Sequence, residues 1–133
     1  MLDPEKSLYH RLGGYDAIAA FTDDLLARLL GDPQLAVYWK GKCKDSMNKD
    51  RQLIVDFLCS VTGGPVTYSG RDMKKSHEGL GITEGEWNAF AQHAVATLDA
   101  LGVAQKEKEE VLAIAGSFQR DIVEVPLTAG ARV

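Results

Sequence analysis

The chain has 133 residues, 45% of them hydrophobic and 26% charged, with a formal net charge of −4 at pH 7. That length suits one domain with a core of its own, and the acidic balance leaves neither a basic stripe for nucleic acid nor a cationic face for an anionic membrane. No apolar run approaches the roughly 20 residues of a spanning helix, and Met1-Leu2-Asp3-Pro4-Glu5-Lys6 lacks the pattern of a signal peptide, so the expected compartment is the cytoplasm.

Helical periodicity dominates from there on. Over 15–30, Ile18, Phe21, Leu25 and Leu29 share one stripe, widened by Leu26 and Leu30, with Asp24 and Arg28 as an i,i+4 pair outside it. Gly31-Asp32-Pro33 stops that helix. Residues 50–61 carry Leu53, Ile54, Phe57, Leu58 and Val61 on a second face, ended by Thr62-Gly63-Gly64-Pro65. A loop over 66–72 holds Tyr68 and Gly70, and a short helix is expected over about 73–79. Thr83-Glu84-Gly85-Glu86 reads as a capping box, followed on one face by Trp87, Phe90, Ala91, Ala94, Val95, Leu98 and Leu101. After Gly102, a last amphipathic helix is expected over about 105–124, with Val111, Ile114, Ala115, Phe118 and Ile122 inward. No strand period persists, so the expected class is all-α.

Cys43 and Cys59 form no C-x-x-C pair and no zinc spacing with the three histidines; two reduced thiols are expected, with a regulatory disulfide as the alternative. The residues that suggest a cofactor lie in Arg71-Asp72-Met73-Lys74-Lys75-Ser76-His77-Glu78-Gly79-Leu80-Gly81-Ile82. On a helix Met73 and His77 are one turn apart on the same face, and an imidazole beside a thioether and aliphatic side chains suits a haem iron ligand. On local chemistry alone, the same pattern also fits an ordinary surface or core histidine.

The string from Gly63-Gly64-Pro65 through Tyr68, Gly70-Arg71-Asp72-Met73-Lys74 and His77 to Gly79-Leu80-Gly81-Ile82 resembles the proximal-histidine segment of group I truncated haemoglobins. Ser7-Leu8-Tyr9, then Arg11-Leu12-Gly13-Gly14, is similar to the N-terminal motif of that family, in which glycines turn a vestigial first helix into the second. The resemblance spans about 7–124 and implies one truncated globin domain, a two-over-two helical sandwich around haem b. Its four long helices fall at about 15–30, 48–62, 84–101 and 105–124.

By position the resemblance makes His77 the proximal iron ligand, with its second ring nitrogen donating to a backbone carbonyl. It implies an apolar haem wall from Phe57, Leu58, Met73, Leu80, Ile82, Trp87, Phe90 and Ile114, with Trp39 of the Tyr38-Trp39 pair stacking on the ring. Arg71 and Lys74 are placed to meet the haem propionates. His93 is read as structural and His10 as exposed. On the distal side the chain departs from its relatives: Leu26 stands where many carry a tyrosine, and Asp50 and Ile54 where they carry glutamines. An ionised carboxylate only accepts hydrogen bonds, so the distal pocket is expected to be apolar and to hold dioxygen weakly. A slip in the alignment of residues 40–52 brings Gln52 inward instead, and Lys49 as a sixth ligand is a third arrangement. The implied function is reversible binding of O2, CO or NO; the alternative is a nitric oxide dioxygenase or other haem redox enzyme served by an electron-donating reductase.

Overall fold

A computed structural model of the chain describes residues 7–70 and 72–124; Arg71 and its expected propionate contact lie outside them. Among the described residues the elements are α1 (Leu8–Leu12), α2 (Tyr15–Leu30), α3 (Pro33–Ala36), a 3-10 turn (Val37–Trp39), α4 (Lys44–Val61), α5 (Met73–His77), α6 (Glu84–Ala100), α7 (Gln105–Gly116) and α8 (Gln119–Ile122), with no β-strand. The class is all-α, and α2 with α4 and α6 with α7 form the two layers of a two-over-two sandwich, meeting where α2 packs on α6.

Local chemistry sets the joints. Gly13 and Gly14 have φ of 113° and 83°, left-handed values that L side chains resist, and so let α1 turn into α2 within two residues. The amide of Tyr9 donates to Thr62 O at 2.9 Å, fixing α1 to the end of α4. The Arg11 guanidinium meets Glu107 at 2.7 Å and Glu110 Oε1 at 2.8 Å, which fixes it to α7. Asp32 caps α3 by accepting from Gln34 N, with Pro33 at the first helical position. Both halves of the expected capping box on α6 are formed: Glu86 N donates to Thr83 Oγ1 at 3.0 Å and Thr83 N to Glu86 Oε1 at 2.9 Å.

Three boundaries differ from expectation. Helix α4 begins at Lys44, four residues early, because its N-cap, Cys43, makes no side-chain cap and so leaves no signal in the sequence. Helix α5 ends at His77. The last helix is interrupted after Gly116, where the Ser117 hydroxyl donates to Ile114 O at 2.6 Å and competes with the helical ladder beside a weak helix former. The two cysteines stand sixteen residues apart at the ends of α4, about 24 Å at the helical rise, so they cannot join within one chain. Cys43 is exposed, and burial pushes the Cys59 thiol up.

The core divides into two groups. Tyr9, Ile18, Val55 and Cys59 form one, with Leu58 packed against it; Leu25, Leu29, Leu35 and Ala94 form the other, joined by Leu26, Trp39 and Phe90. Leu30, expected to widen the α2 stripe, is exposed. Leu98 is 1% exposed and borders an apolar cavity of about 190 Å3, also lined by Ile18, Phe21, Leu58 and Val111. Because truncation there extends a space that has not already collapsed, Leu98→Ala is expected to cost about 4 kcal/mol. At a urea slope of about 1–3 kcal/mol/M the midpoint of the apoprotein should fall by more than about 1 M; an unchanged midpoint would show that the helices close over the gap.

Several carboxyls are held below their ordinary range: Asp23 by Arg51, Asp24 by Arg28 and Thr97, Asp32 by His93 and the Gln34 amide, and Glu110 by Arg11. A depressed folded-state pKa contributes stability that is fully present above the unfolded value and lost as pH falls through the folded one. Apoprotein melting temperature is therefore expected to hold from neutral pH down to the ordinary values, 4.5 for Glu and 3.8 for Asp, and to drop below them. A drop already complete between about pH 7 and 5.5 would assign the loss to histidine instead.

Candidate functional site

His77 closes the five-residue helix α5, whose Asp72 cap accepts from Lys75 N at 2.7 Å. Its Nδ1 lies 2.9 Å from Met73 O, one turn back, and 2.9 Å from Ser76 Oγ. Donation from Nδ1 to the carbonyl fixes the tautomer that leaves Nε2 with an open lone pair, and Nε2 has no hydrogen-bond partner among the described residues. The carbonyl partner is thus the backbone of the residue expected to share its face.

Of the aromatic side chains expected to wall the haem, Trp39, Phe57 and Phe90 are half-buried and Trp87 is buried. Phe57 meets Tyr68 and Phe118 edge-on, each with centroids 5.2 Å away. Trp87 is buried against Phe90 at 5.2 Å, and Phe90 and Trp39 join Leu26 in the second core group. Met73, Ile82 and Ile114 are half-buried, Leu80 is 47% exposed, and Lys74 is exposed with no ion-pair partner among the described residues. Leu58, next to Phe57 on α4, packs on the Tyr9–Ile18 group and lines the apolar cavity beside Leu98. Phe118 and Tyr68 complete the aromatic cluster without having been singled out; the signal was present, since Phe118 sits on the apolar stripe of the last helix and Tyr68 in the loop before His77.

The residues expected on the distal side offer few donors. Leu26 is half-buried and packs on the Leu25–Leu29–Leu35–Ala94 group, as Trp39 and Phe90 do, and Ile54 is half-buried on α4. Asp50 pairs with the Lys42 ammonium. Gln52 is exposed and donates to Tyr15 Oη and Asp56 Oδ1, each at 2.9 Å. Lys49 is exposed. The Tyr38 hydroxyl, pushed up to about 12 by desolvation and by its bond to Glu86, is spent on the α6 cap. His93 Nε2 meets Asp32 Oδ2 at 2.8 Å and ties α6 to the start of α3, a structural pairing; His10 is exposed.

This donor set fits a porphyrin-held metal. Among the described residues no three His, Cys, Asp or Glu side chains gather to hold a bare ion. An imidazole with a pre-set tautomer and an unpartnered Nε2 suits an iron whose equatorial ligands come from a ring. No described helix is long and apolar enough to cross a membrane.

Comparison with known proteins agrees with this chemistry. The family model described as bacterial-like globin matches residues 7–124. A group 1 truncated hemoglobin of Mycolicibacterium paratuberculosis is 34% identical over 106 residues, 80% of this chain and 76% of that protein. The crystal structure of truncated hemoglobin from Tetrahymena pyriformis in its Fe(III) form superposes with a TM-score of 0.81 at 25% identity, covering 89% of this chain and 98% of that one. The 2/2 hemoglobin from Synechococcus sp. PCC 7002, in the cyanomet state with covalently attached heme, gives 0.80 at 31% identity, again covering 89% and 98%.

Proposed function

Because this chain belongs to the bacterial-like globin family, among the group 1 truncated hemoglobins, we propose that it holds one haem b on His77 and reversibly binds a diatomic gas on the opposite side. When bound, the haem supplies an iron with one position open to O2, CO or NO. The observation that carries the reading is the imidazole itself, with Nδ1 engaged by Met73 O and Nε2 unpartnered at the end of a short helix.

The chain's own residues divide the remaining work. Phe57, Met73, Ile82, Trp87, Phe90 and Ile114 supply the apolar cover that excludes water, and Trp39 flanks the ring. The exposed ammonium of Lys74 supplies a cation for a propionate. Leu58 contributes from behind, through its packing on the Tyr9–Ile18 group, and Leu80 from the turn after His77. On the gas side Leu26 and Ile54 present hydrocarbon, and Asp50 is drawn to Lys42. A pocket so lined offers no donor to a polarised ligand, so dioxygen leaves it readily while carbon monoxide, which depends less on such a donor, is held more normally.

The test is the ferrous protein in a stopped-flow or flash-photolysis cell. Reversible spectral changes with both O2 and CO, with fast O2 release, are expected. A ferrous spectrum that neither gas alters would overturn gas binding.

A further inference from the structure

Helix α5 has five residues, too few to hold a fixed position through its own hydrogen bonds. The chain after His77 makes a turn in which Gly79 and Gly81 have φ of 85° and 68°, and Leu80 N donates back to His77 O at 3.2 Å. Both glycine amides point at one side chain 43 to 45 residues away. Glu124 Oε2 accepts from Gly79 N at 3.0 Å, and Oε1 from Gly81 N at 2.7 Å. The amide of Glu124 in turn donates to Ile82 O at 2.9 Å. Each carboxylate oxygen therefore serves one donor, and backbone and side chain of the same residue grip the turn from both directions.

We propose that Glu124 is a positioning residue for His77: its two-pronged hold on the Gly79–Gly81 turn sets the height and tilt of the imidazole, and so the strength of the bond that Nε2 makes to iron. The turn begins two residues after the ligand, with no regular structure between them to absorb a displacement. The grip is charge-assisted, because the two N–H groups hold the Glu124 carboxyl below its ordinary range. Glutamine keeps only one acceptor oxygen and turns an NH2 donor toward the second amide, so it preserves about half of the arrangement. This inference rests on the reading of His77 as the iron ligand.

The experiment compares wild type, Glu124→Gln and Glu124→Ala as full-length, haem-loaded protein. The readouts are the iron–histidine stretching band of the ferrous unliganded form by resonance Raman, haem transfer to excess apomyoglobin, and amide exchange at Gly79 and Gly81. In Glu124→Ala the band should shift and broaden, both amides should exchange faster, and haem transfer should accelerate roughly three- to tenfold, below the ten- to hundredfold typical of a direct partner of a ligating histidine. Glu124→Gln should fall between alanine and wild type on all three. A Raman band unchanged in Glu124→Ala, with or without a lower melting temperature, would overturn the proposal and leave Glu124 a structural cap. A wild-type protein without any iron–histidine band would instead overturn the assignment of His77, whatever the variants do.

Discussion

His77→Ala is expected to release haem at least about a hundredfold faster than wild type, because on the proposed reading it removes the iron ligand itself, whereas loss of a mere partner of such a ligand already costs ten- to a hundredfold. The substitution lies at the half-buried end of α5 and leaves both core groups intact, so the apoprotein should keep its helical content and its urea midpoint. That separation makes the result interpretable: haem affinity collapses while the fold does not. Added imidazole should restore part of the spectrum by entering the space of the lost side chain. Met73→Ala provides the contrast, since the carbonyl that accepts from Nδ1 belongs to the backbone and survives the change; its effect should be limited to lost cover. Equal haem loss in His77→Ala and wild type, measured by transfer to apomyoglobin, would remove His77 from the site.

The second large effect concerns the opposite face. Leu26→Tyr is expected to slow dioxygen release by about tenfold or more, since one charge-assisted hydrogen bond contributes on the order of 1.5–3 kcal/mol. Leu26 is half-buried and shares its core group with Trp39 and Phe90, and tyrosine there adds a hydroxyl donor to a hydrocarbon position. Carbon monoxide should be released within about threefold of the wild-type rate, because it demands little of a donor, and this difference distinguishes a hydrogen bond from simple crowding. Asp50→Gln is a weaker companion: it introduces a donor but also frees Lys42, so the two changes oppose each other. An oxygen release rate in Leu26→Tyr indistinguishable from wild type would mean that α2 does not face the gas.

Much of the fold was legible because its determinants are local. The apolar stripe of α2, its stop at Gly31-Asp32-Pro33 and the capping box of α6 each lie within a few residues; the stop and the capping box formed as read, and so did the stripe apart from the exposed Leu30. The start of α4 was not legible, since Cys43 offers no capping oxygen, and neither was the break at Gly116-Ser117, which depends on a hydroxyl choosing the Ile114 carbonyl. At the site, His77 stood out through a motif, whereas the neighbours Phe57 and Leu58 could not be told apart. They sit about 100° apart on one helix, and only the placement of α4 directs one ring toward Tyr68 and Phe118 and the other side chain toward Tyr9 and Ile18. Gln52 was held open by an uncertain register; the continuous helix from Lys44 turns it to Tyr15 and Asp56. Glu124 was invisible for a different reason, since nothing in sequence spacing connects it with Gly79 and Gly81.

The central claim, a haem held by one imidazole in this helical sandwich, is tested most directly by titrating the purified apoprotein with haemin and following the Soret band. The account predicts a sharp break at one haem per chain, followed on reduction by the spectrum of a ferrous haem ligated by histidine. A Soret absorbance that grows in proportion to added haemin with no break, as for free haemin in buffer, would contradict it.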